Sequence, residues 1–316
     1  MSFIKKIDEE SNVFDDAIAF VQHWDFSRSN TNDESRIEAI TTVASICYDN
    51  PNVIGKENLY NRLKAEAMGL PSSSFEFVPV LIELGTFELL LVDQAIKKYS
   101  TEDGMDPFIL NVEKYGQWIH QDNVAYLLTN YRALLADHET LKNIHGYTDI
   151  TQIYNTPSEC KIILENSTTF LYKMDMNTSK QHNRHRVSLQ ELSRRYVSGK
   201  KTEFEFYYSK GMKNLISYHY EKEDERIEDV DYEEADYSFT TKELHQMCID
   251  HYFTALENKV QPQEARRILP QSMYTTIWST FLPFQLDNYL ALRDDSHAQQ
   301  EIRWLAQAMK RLLGLK

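Results

Sequence analysis

The stretch Arg184-His185-Arg186-Val187-Ser188-Leu189-Gln190-Glu191-Leu192-Ser193-Arg194-Arg195-Tyr196 is the one dense basic segment of an acidic chain. From His182 to Lys201, six Lys or Arg stand against one acid, Glu191; the whole protein carries 34 basic and 48 acidic residues, a net charge of −14. Like charges so crowded repel one another, and such a cluster usually awaits an anion. The bland alternative is a solvated basic face paired with surplus carboxylates. Ser188 and Glu191 have the spacing of a capping box, which predicts a helix starting at Ser188 with Leu189, Leu192 and Tyr196 on one stripe. Arg184, His185 and Arg186 would then flank a helix N-terminus, a good place for a phosphate.

Working outward, the 316 residues allow one large or two small domains. A hydrophobic content of 42% with 12% aromatics supplies a substantial core. Apolar runs such as Leu89-Leu90-Leu91-Val92 are far too short to span a bilayer. The start, Met1-Ser2-Phe3-Ile4-Lys5-Lys6, lacks a secretory apolar core. Cys47, Cys160 and Cys248 are isolated and odd in number, which fits neither a disulfide framework nor a zinc site and suggests a reducing, cytoplasmic setting. The negative charge argues against a nucleic-acid or membrane partner.

The apolar periods predict helices over 12–24, 36–48 and 56–68, then a tight turn at Gly69-Leu70-Pro71-Ser72-Ser73-Ser74. Phe75–Ile82 reads as a strand that Pro79 confines to an edge or an end. Helices are expected over 86–98, 112–118 and 124–136, strands over 161–174 and 202–208. Glu221 to Asp236 holds ten acids in sixteen residues and reads as a solvated excursion. Thr240 and Glu243 form a second capping box. It opens a helix to about Asn258 with Leu244, Met247, Cys248, His251 and Ala255 on the inner side. Pro262 begins a helical turn, Met273–Phe281 a strand, and Pro283 a helix through Arg293. Ser296 is expected to cap a last helix with Ile302, Leu305, Ala306, Met309, Leu312 and Leu313 inward. The alternation of periods says mixed α/β.

No Gly-rich phosphate loop, serine elbow or paired metal-ligand spacing is present, and glycines number only nine. No metal is expected; His182 and His185 are three apart but sit among arginines. An enzyme of this composition would bind and orient reactive partners while a cofactor carried the difficult chemistry.

Two stretches together resemble the flavin-dependent thymidylate synthases. That family's signature is Arg-His-Arg, seven residues and Ser, with Glu two before the Ser and Arg-Tyr two after. Here Arg184-His185-Arg186 is followed by six residues and Ser193, with Glu191 and Arg195-Tyr196 in place and Gln181 ahead. Ala265-Arg266-x-x-Leu269-Pro270, Asn288-Tyr289-Leu290-Ala291-Leu292-Arg293 and Ser296-His297-Ala298-Gln299-x-Glu301-Ile302-Arg303 follow the family's C-terminal pattern. Ala44–Tyr48 and Gly69–Phe77 resemble its first-helix and turn motifs. The turn lacks both family histidines, and Leu282-Pro283-Phe284 stands in place of Asn-x-Arg.

The resemblance implies an α/β (α+β) fold: a mixed sheet flanked by helices, in a homotetramer with active sites shared between chains. It implies a single domain over 1–316, with a mostly helical insertion at about 83–160. The implied reaction is reductive methylation of dUMP to dTMP without an enzyme nucleophile. FAD is the cofactor, and methylenetetrahydrofolate and NADPH are co-substrates. By position, Arg293 would be catalytic, stabilising negative charge on the pyrimidine. Gln181, Arg184, Glu191, Ser193, Arg194, Arg195, Arg266 and Arg293 would hold dUMP. Ser73, Arg184, His185, Arg186, Glu191 and Asn288 would line FAD. Two alternatives stand beside this: a family member that binds flavin or nucleotide without turnover, and an RNA binder, which the overall acidity disfavours.

Overall fold

The computed structural model describes residues 2–13, 16–65, 71–84, 110–121, 124–138, 153–193, 203–219 and 237–315. In chain order the elements are β1 (Lys5–Val13), β2 (Ile18–Asp25), α1 (Asp33–Tyr48), α2 (Glu57–Lys64) and β3 (Pro79–Leu84). Next come α3 (Asn111–Lys114), β4 (Gln117–Gln121), β5 (Val124–Asn130), α4 (Tyr131–Ala136), α5 (Pro157–Asn166) and β6 (Thr168–Asp175). Then follow α6 (Met176–His182), β7 (Ser188–Glu191), β8 (Ile216–His219), β9 (Tyr237–Thr240) and α7 (Thr241–Glu257). The last are α8 (Pro262–Ala265), β10 (Tyr274–Phe281), α9 (Pro283–Arg293) and α10 (Gln300–Leu312).

The main sheet has five strands in the order β1-β2-β6-β10-β7. Strand β10 shows why it forms. Its side chains alternate between faces, and both faces are buried. Ile277 and Phe281 point to one face, with Phe170 and Tyr172 of β6. Trp278 points to the other, edge-on to Trp24 and Phe26. On the first face lie α9 and α10, through Leu286, Tyr289 and Leu290 and through Ile302, Leu305, Ala306 and Met309. These α10 positions recur at helical spacing. Burying each large one contributes about 1.5–3 kcal/mol before chain entropy is subtracted.

Against the second face packs α1, through Ala39, Ile40, Val43 and Ala44. Beyond it lies a smaller sheet in the order β3-β5-β4, and Leu81 and Leu128 on its far side meet Ile162 and Ile163 of α5. Arg36 of α1 locks these layers together. Fully buried, it donates to Asn30 and the Ile153 carbonyl, and its guanidinium lies 4.2 Å from the rings of both Tyr131 and Tyr154. No helix among the described residues is long and apolar enough to cross a membrane.

Several expectations are corrected. Every strand pairing among the described residues is antiparallel, so the sheet is not mixed. The described residues of the stretch 12–24 read as a helix, 12–13 and 16–24, belong to the β1–β2 hairpin. Asn12 and Asp16 adopt positive φ (55° and 68°), and β2 finds its partner, β6, about 150 residues on. The charged β1 is an edge strand, the usual place for such residues. In the segment read as a mostly helical insertion, the described part is a β4–β5 hairpin flanked by two short helices. Residues 117–121 and 124–130 are strands, and β5 buries Leu127 and Leu128 between its neighbours.

Residues 157–166 are helical, with only 168–175 extended. Residues 203–208 form no strand beyond a single bridge, Phe206 to Met273. Gln299, not Ser296, is the N-cap of α10. On α7 the expected inner stripe is turned out: Leu244, Met247 and His251 are exposed, while Thr241, His245 and Tyr252 are buried. Thr240 caps α7 as its Thr-x-x-Glu pattern predicts. Pro79 opens β3, which is an edge strand. The readings at 86–98 and 221–236 lie outside the described residues.

Candidate functional site

The largest correction falls on the basic stretch itself. Ser188 does not cap a helix. Residues 188–191 form β7, paired with Ile277–Thr280 of β10, and Leu192 extends the ladder by donating to the Thr276 carbonyl at 2.9 Å. Glu191 is therefore free of the capping role. Its carboxylate accepts from the Ser179 hydroxyl (3.3 Å) and the Asn183 amide (3.1 Å). A local pattern lost to a long-range one: the vacant edge of β10 offered a whole ladder of backbone bonds, the capping box only two.

Helix α6 delivers the triplet. Asp175 caps its start, accepting from the Asn177 and Thr178 amides and the Thr178 hydroxyl. His182 ends the helix fully buried. Its Nδ1 is 2.9 Å from the Tyr289 hydroxyl of α9, and its Nε2 has no hydrogen-bond partner. Burial, then the His185 ring and Arg293, push the His182 imidazole down to about 3. The triplet thus follows a helix C-terminus rather than preceding an N-terminus.

His185 turns back onto α9, its ring 4.5 Å from that of Tyr289. The Arg293 Nε–H donates to His185 Nε2 at 2.6 Å, and Arg293 Nη2 donates to the Gln181 carbonyl at 2.9 Å. An imidazole nitrogen that accepts from a guanidinium must be unprotonated. Burial and the Arg293 charge agree, holding His185 down at about 4. Arg293 sits in the last turn of α9, where the helix dipole favours a cation. It is half-buried and has no carboxylate partner among the described residues. The Gln181 amide donates to Gln299 at 2.5 Å, which ties α6 to the cap of α10.

On the other side, β7 is stitched to the N-terminal half. Ser73 donates to the Gln190 carboxamide at 2.6 Å, the Gln190 amide donates to Cys47 Sγ, and the Cys47 thiol donates to the Glu191 carbonyl. The motifs Ala44–Tyr48 and Gly69–Phe77, far apart in sequence, therefore meet at the strand that follows the triplet.

The structure brings together Gln181, His185, Arg293, Glu191 and Ser73 within this network of β7, α6 and α9. Arg184 and Arg186 are exposed at its rim, and Asn288 is exposed on α9. Ser193 is half-buried just past β7, and Arg194 and Arg195 lie outside the described residues. Arg266 is not brought in: it sits in the 3-10 turn 266–268 beside α7 and α8, exposed. The guanidinium groups of Arg184, Arg186 and Arg266 make no ion pair or hydrogen bond among the described residues, although acids outnumber bases.

Next to the triplet opens a cavity of about 520 Å³, reaching Arg186 and Ser188 on one side and Lys114, Tyr115 and Thr129 on the other. Sequence reading missed His182, Tyr289, Gln190, Lys114, Tyr115 and Thr129. His182, Gln190 and Tyr289 did lie inside stretches quoted above; nothing local marked the rest.

A half-buried guanidinium held by neutral groups, with Arg184 and Arg186 at the rim free of ion pairs among the described residues, is an arrangement suited to an anionic ligand. Comparison with known proteins narrows the class. The family model described as thymidylate synthase complementing protein matches residues 160–315. A flavin-dependent thymidylate synthase of Aquifex aeolicus is 31% identical over 152 residues, 47% of this chain and 45% of that protein. One of Thermotoga neapolitana is 34% identical over 149 residues, 47% of this chain and 62% of that protein. A crystal structure of a UMP/dUMP methylase PolB from Streptomyces cacaoi, bound with 5-Br dUMP, is 25% identical and covers 47% of this chain and 66% of that one; its TM-score is 0.32, too low to carry a shared fold. Over residues 160–315, just under half of its length, the chain matches the flavin-dependent thymidylate synthase family, as its motifs implied, and it spans about half the length of the curated relatives it matches.

Proposed function

We propose that the protein converts dUMP to dTMP, taking the carbon from methylenetetrahydrofolate and using FAD and NADPH as the reducing system. The observation that carries this is Arg293: half-buried, without a carboxylate partner among the described residues, and fixed by His185 and the Gln181 carbonyl. A cation already oriented before substrate arrives costs no reorganisation when negative charge develops on a pyrimidine. Its remaining donors are available to the ring. Keeping His185 unprotonated matters, because an imidazolium there would repel the guanidinium.

The donor set fits a dinucleotide. Arg184 and Arg186 are cations two residues apart with no anionic partner among the described residues, as a diphosphate requires, and Ser73, Glu191 and Asn288 add polar groups for the flavin. Bound FAD would supply the hydride; the chain's own residues bind, orient and hold charge. Gln181, Ser193, Arg194, Arg195 and Arg266 are assigned to dUMP with Arg293. Arg266 has no bond to this network among the described residues, which favours a homotetramer in which one chain's Arg266 serves another's site. We read residues 1–316 as one domain, and the segment about 83–160 as an addition to the family plan. Its described residues Leu110, Val112, Leu127 and Tyr131 share a core with α1. Three isolated cysteines, odd in number, support a cytoplasmic setting.

The test is spectral and then chemical. The purified protein should bind FAD, oxidise NADPH and form dTMP when dUMP and methylenetetrahydrofolate are present. Arg293→Ala should keep FAD and lower dTMP formation by about 10²–10³-fold. Undiminished dTMP formation by that variant would remove the role given to Arg293. Binding of FAD and dUMP with no turnover would favour the second reading, a non-catalytic relative, for which the missing turn histidines and Leu282-Pro283-Phe284 in place of the family's Asn-x-Arg are the motive.

A further inference from the structure

The cavity beside the triplet is built by two parts of the chain that the family match does not join. One wall is the family-matched half: Arg186, Ser188 and the start of α9 at Leu282 to Gln285. The other is the segment outside that match: Lys114 and Tyr115 at the turn from α3 to β4, and Thr129 and Asn130 at the end of β5. At about 520 Å³ it has the size of a ligand pocket rather than a packing defect.

Its walls are fixed to one another. Gln117 of β4 accepts from the Phe284 amide at 3.3 Å, and Gln285 donates to the Arg186 carbonyl at 2.9 Å while capping α9. The turn carrying Lys114 and Tyr115 is pinned by Gly116. A Cβ there would stand 2.3 Å from the Val112 carbonyl oxygen and 2.9 Å from that of Leu128, so the turn can lie this close to β5 only with glycine.

The chemistry of the lining is specific. Lys114 and Arg186 are cations without a carboxylate partner among the described residues. The one acid in the lining, Glu76, is neutralised by Arg132 at 2.6 Å. Tyr115 and Phe284 are large rings left 52% and 54% exposed at the cavity. Thr129 is 2% exposed, and its hydroxyl has no hydrogen-bond partner, an uncommon state for a buried polar group. Two cations without a carboxylate among the described residues, Lys114 lying 5.3 Å from the Tyr115 ring centroid, two exposed rings and an unsatisfied hydroxyl form a set that an aromatic base carrying phosphate would complete.

We infer that this cavity binds the base-and-phosphate portion of a nucleotide, with Lys114 and Arg186 on the phosphate and Tyr115 and Phe284 against the base. Residues outside the family-matched half thereby form part of the ligand site. The inference rests on the flavin reading for the identity of the ligand, FAD, and on the cavity alone for its chemical class. Lys114 also offers a cation across the cavity from Leu282-Pro283-Phe284, a stretch that has none.

The experiment titrates FAD, and separately ADP, into the full-length protein and into Lys114→Met, Tyr115→Leu and Phe284→Leu, by calorimetry. These residues are exposed, and circular dichroism at the titration temperature checks that each variant is folded. Each variant should weaken both probes by about 10-fold, the scale of one stacked base or one charge-assisted contact. Wild type that binds FAD, with all three variants unchanged, overturns the cavity and leaves the flavin reading standing. Wild type that binds ADP but not FAD, with the variants weakened, supports the cavity and overturns the flavin reading. Binding of neither probe at millimolar concentration overturns both.

Discussion

His182 should make the protein's stability fall steeply as the solution becomes mildly acidic. In the folded chain its imidazole is fully buried against Tyr289 and held down at about 3, against an ordinary 6.5. Above pH 6.5 both folded and unfolded chains carry it neutral. Below that, the unfolded chain takes up a proton that the folded chain refuses, so stability drops as pH falls towards the folded value. At pH 5 the unfolded value lies 1.5 units above the solution, which at about 1.4 kcal/mol per unit is about 2 kcal/mol. His185 adds a smaller share of the same sign, discounted because it is half-exposed.

His182→Asn is the informative perturbation, because its amide can sit where Nδ1 meets Tyr289 and cannot titrate. Urea unfolding, followed by tryptophan fluorescence at fixed protein concentration, gives stability at pH 7.5, 6 and 5. The variant will be less stable at pH 7.5, where it leaves a small void, and the gap should narrow by about 2 kcal/mol by pH 5. His23 and His245, also held low by burial, and Asp137 and Asp175, held high by it, shape both curves alike and cancel in the difference. A gap that stays constant with pH would refute the claim that His182 is neutral in the folded protein.

Two further outcomes follow from packing. Arg36→Met should cost about 3 kcal/mol of unfolding free energy, since it leaves Asn30 Oδ1 without the Arg36 donor, leaves the Ile153 carbonyl only the Asn30 amide, and removes a cation from between Tyr131 and Tyr154. A loss under about 1 kcal/mol in the same urea assay would show that the layers do not depend on it. Gly116→Ala should cost about 2 kcal/mol or more, because the atoms it meets are backbone oxygens that cannot swing aside. Thermal melting checks it, and an unchanged midpoint would mean that the α3–β4 turn yields.

What was legible in the sequence depended on how local the deciding contact is. Helices α1, α7, α9 and α10 announce themselves through caps, prolines and apolar period, and Met273–Phe281 through its β-branched and aromatic run. The β1–β2 and β4–β5 hairpins do not, because what makes them strands is a partner strand, and in the case of β2 that partner is β6, far along the chain. The same limit governs the site. Gln181, His185 and Arg293 could be named from motifs, and the structure does bond them together. The Ser73–Gln190–Cys47 stitch spans 117 and 143 residues, and no window of sequence displays it. Ser188 and Glu191 show the converse error, a correct local pattern overruled by the open edge of β10.

The sheet order has a consequence for cutting the protein. The family-matched residues 160–315 contribute β6, β10 and β7, while β1 and β2, which cover the edge of β6, come from the first 25 residues. A fragment beginning at 160 would uncover a row of unpaired amides and carbonyls along β6 beside Phe170, Tyr172 and Met174, and would strip Trp278 of Trp24 and Phe26. Such an edge invites another chain to pair with it. The boundary of the family match is not a boundary of folding, and the matched half would need a substitute for its missing margin to stand as a module.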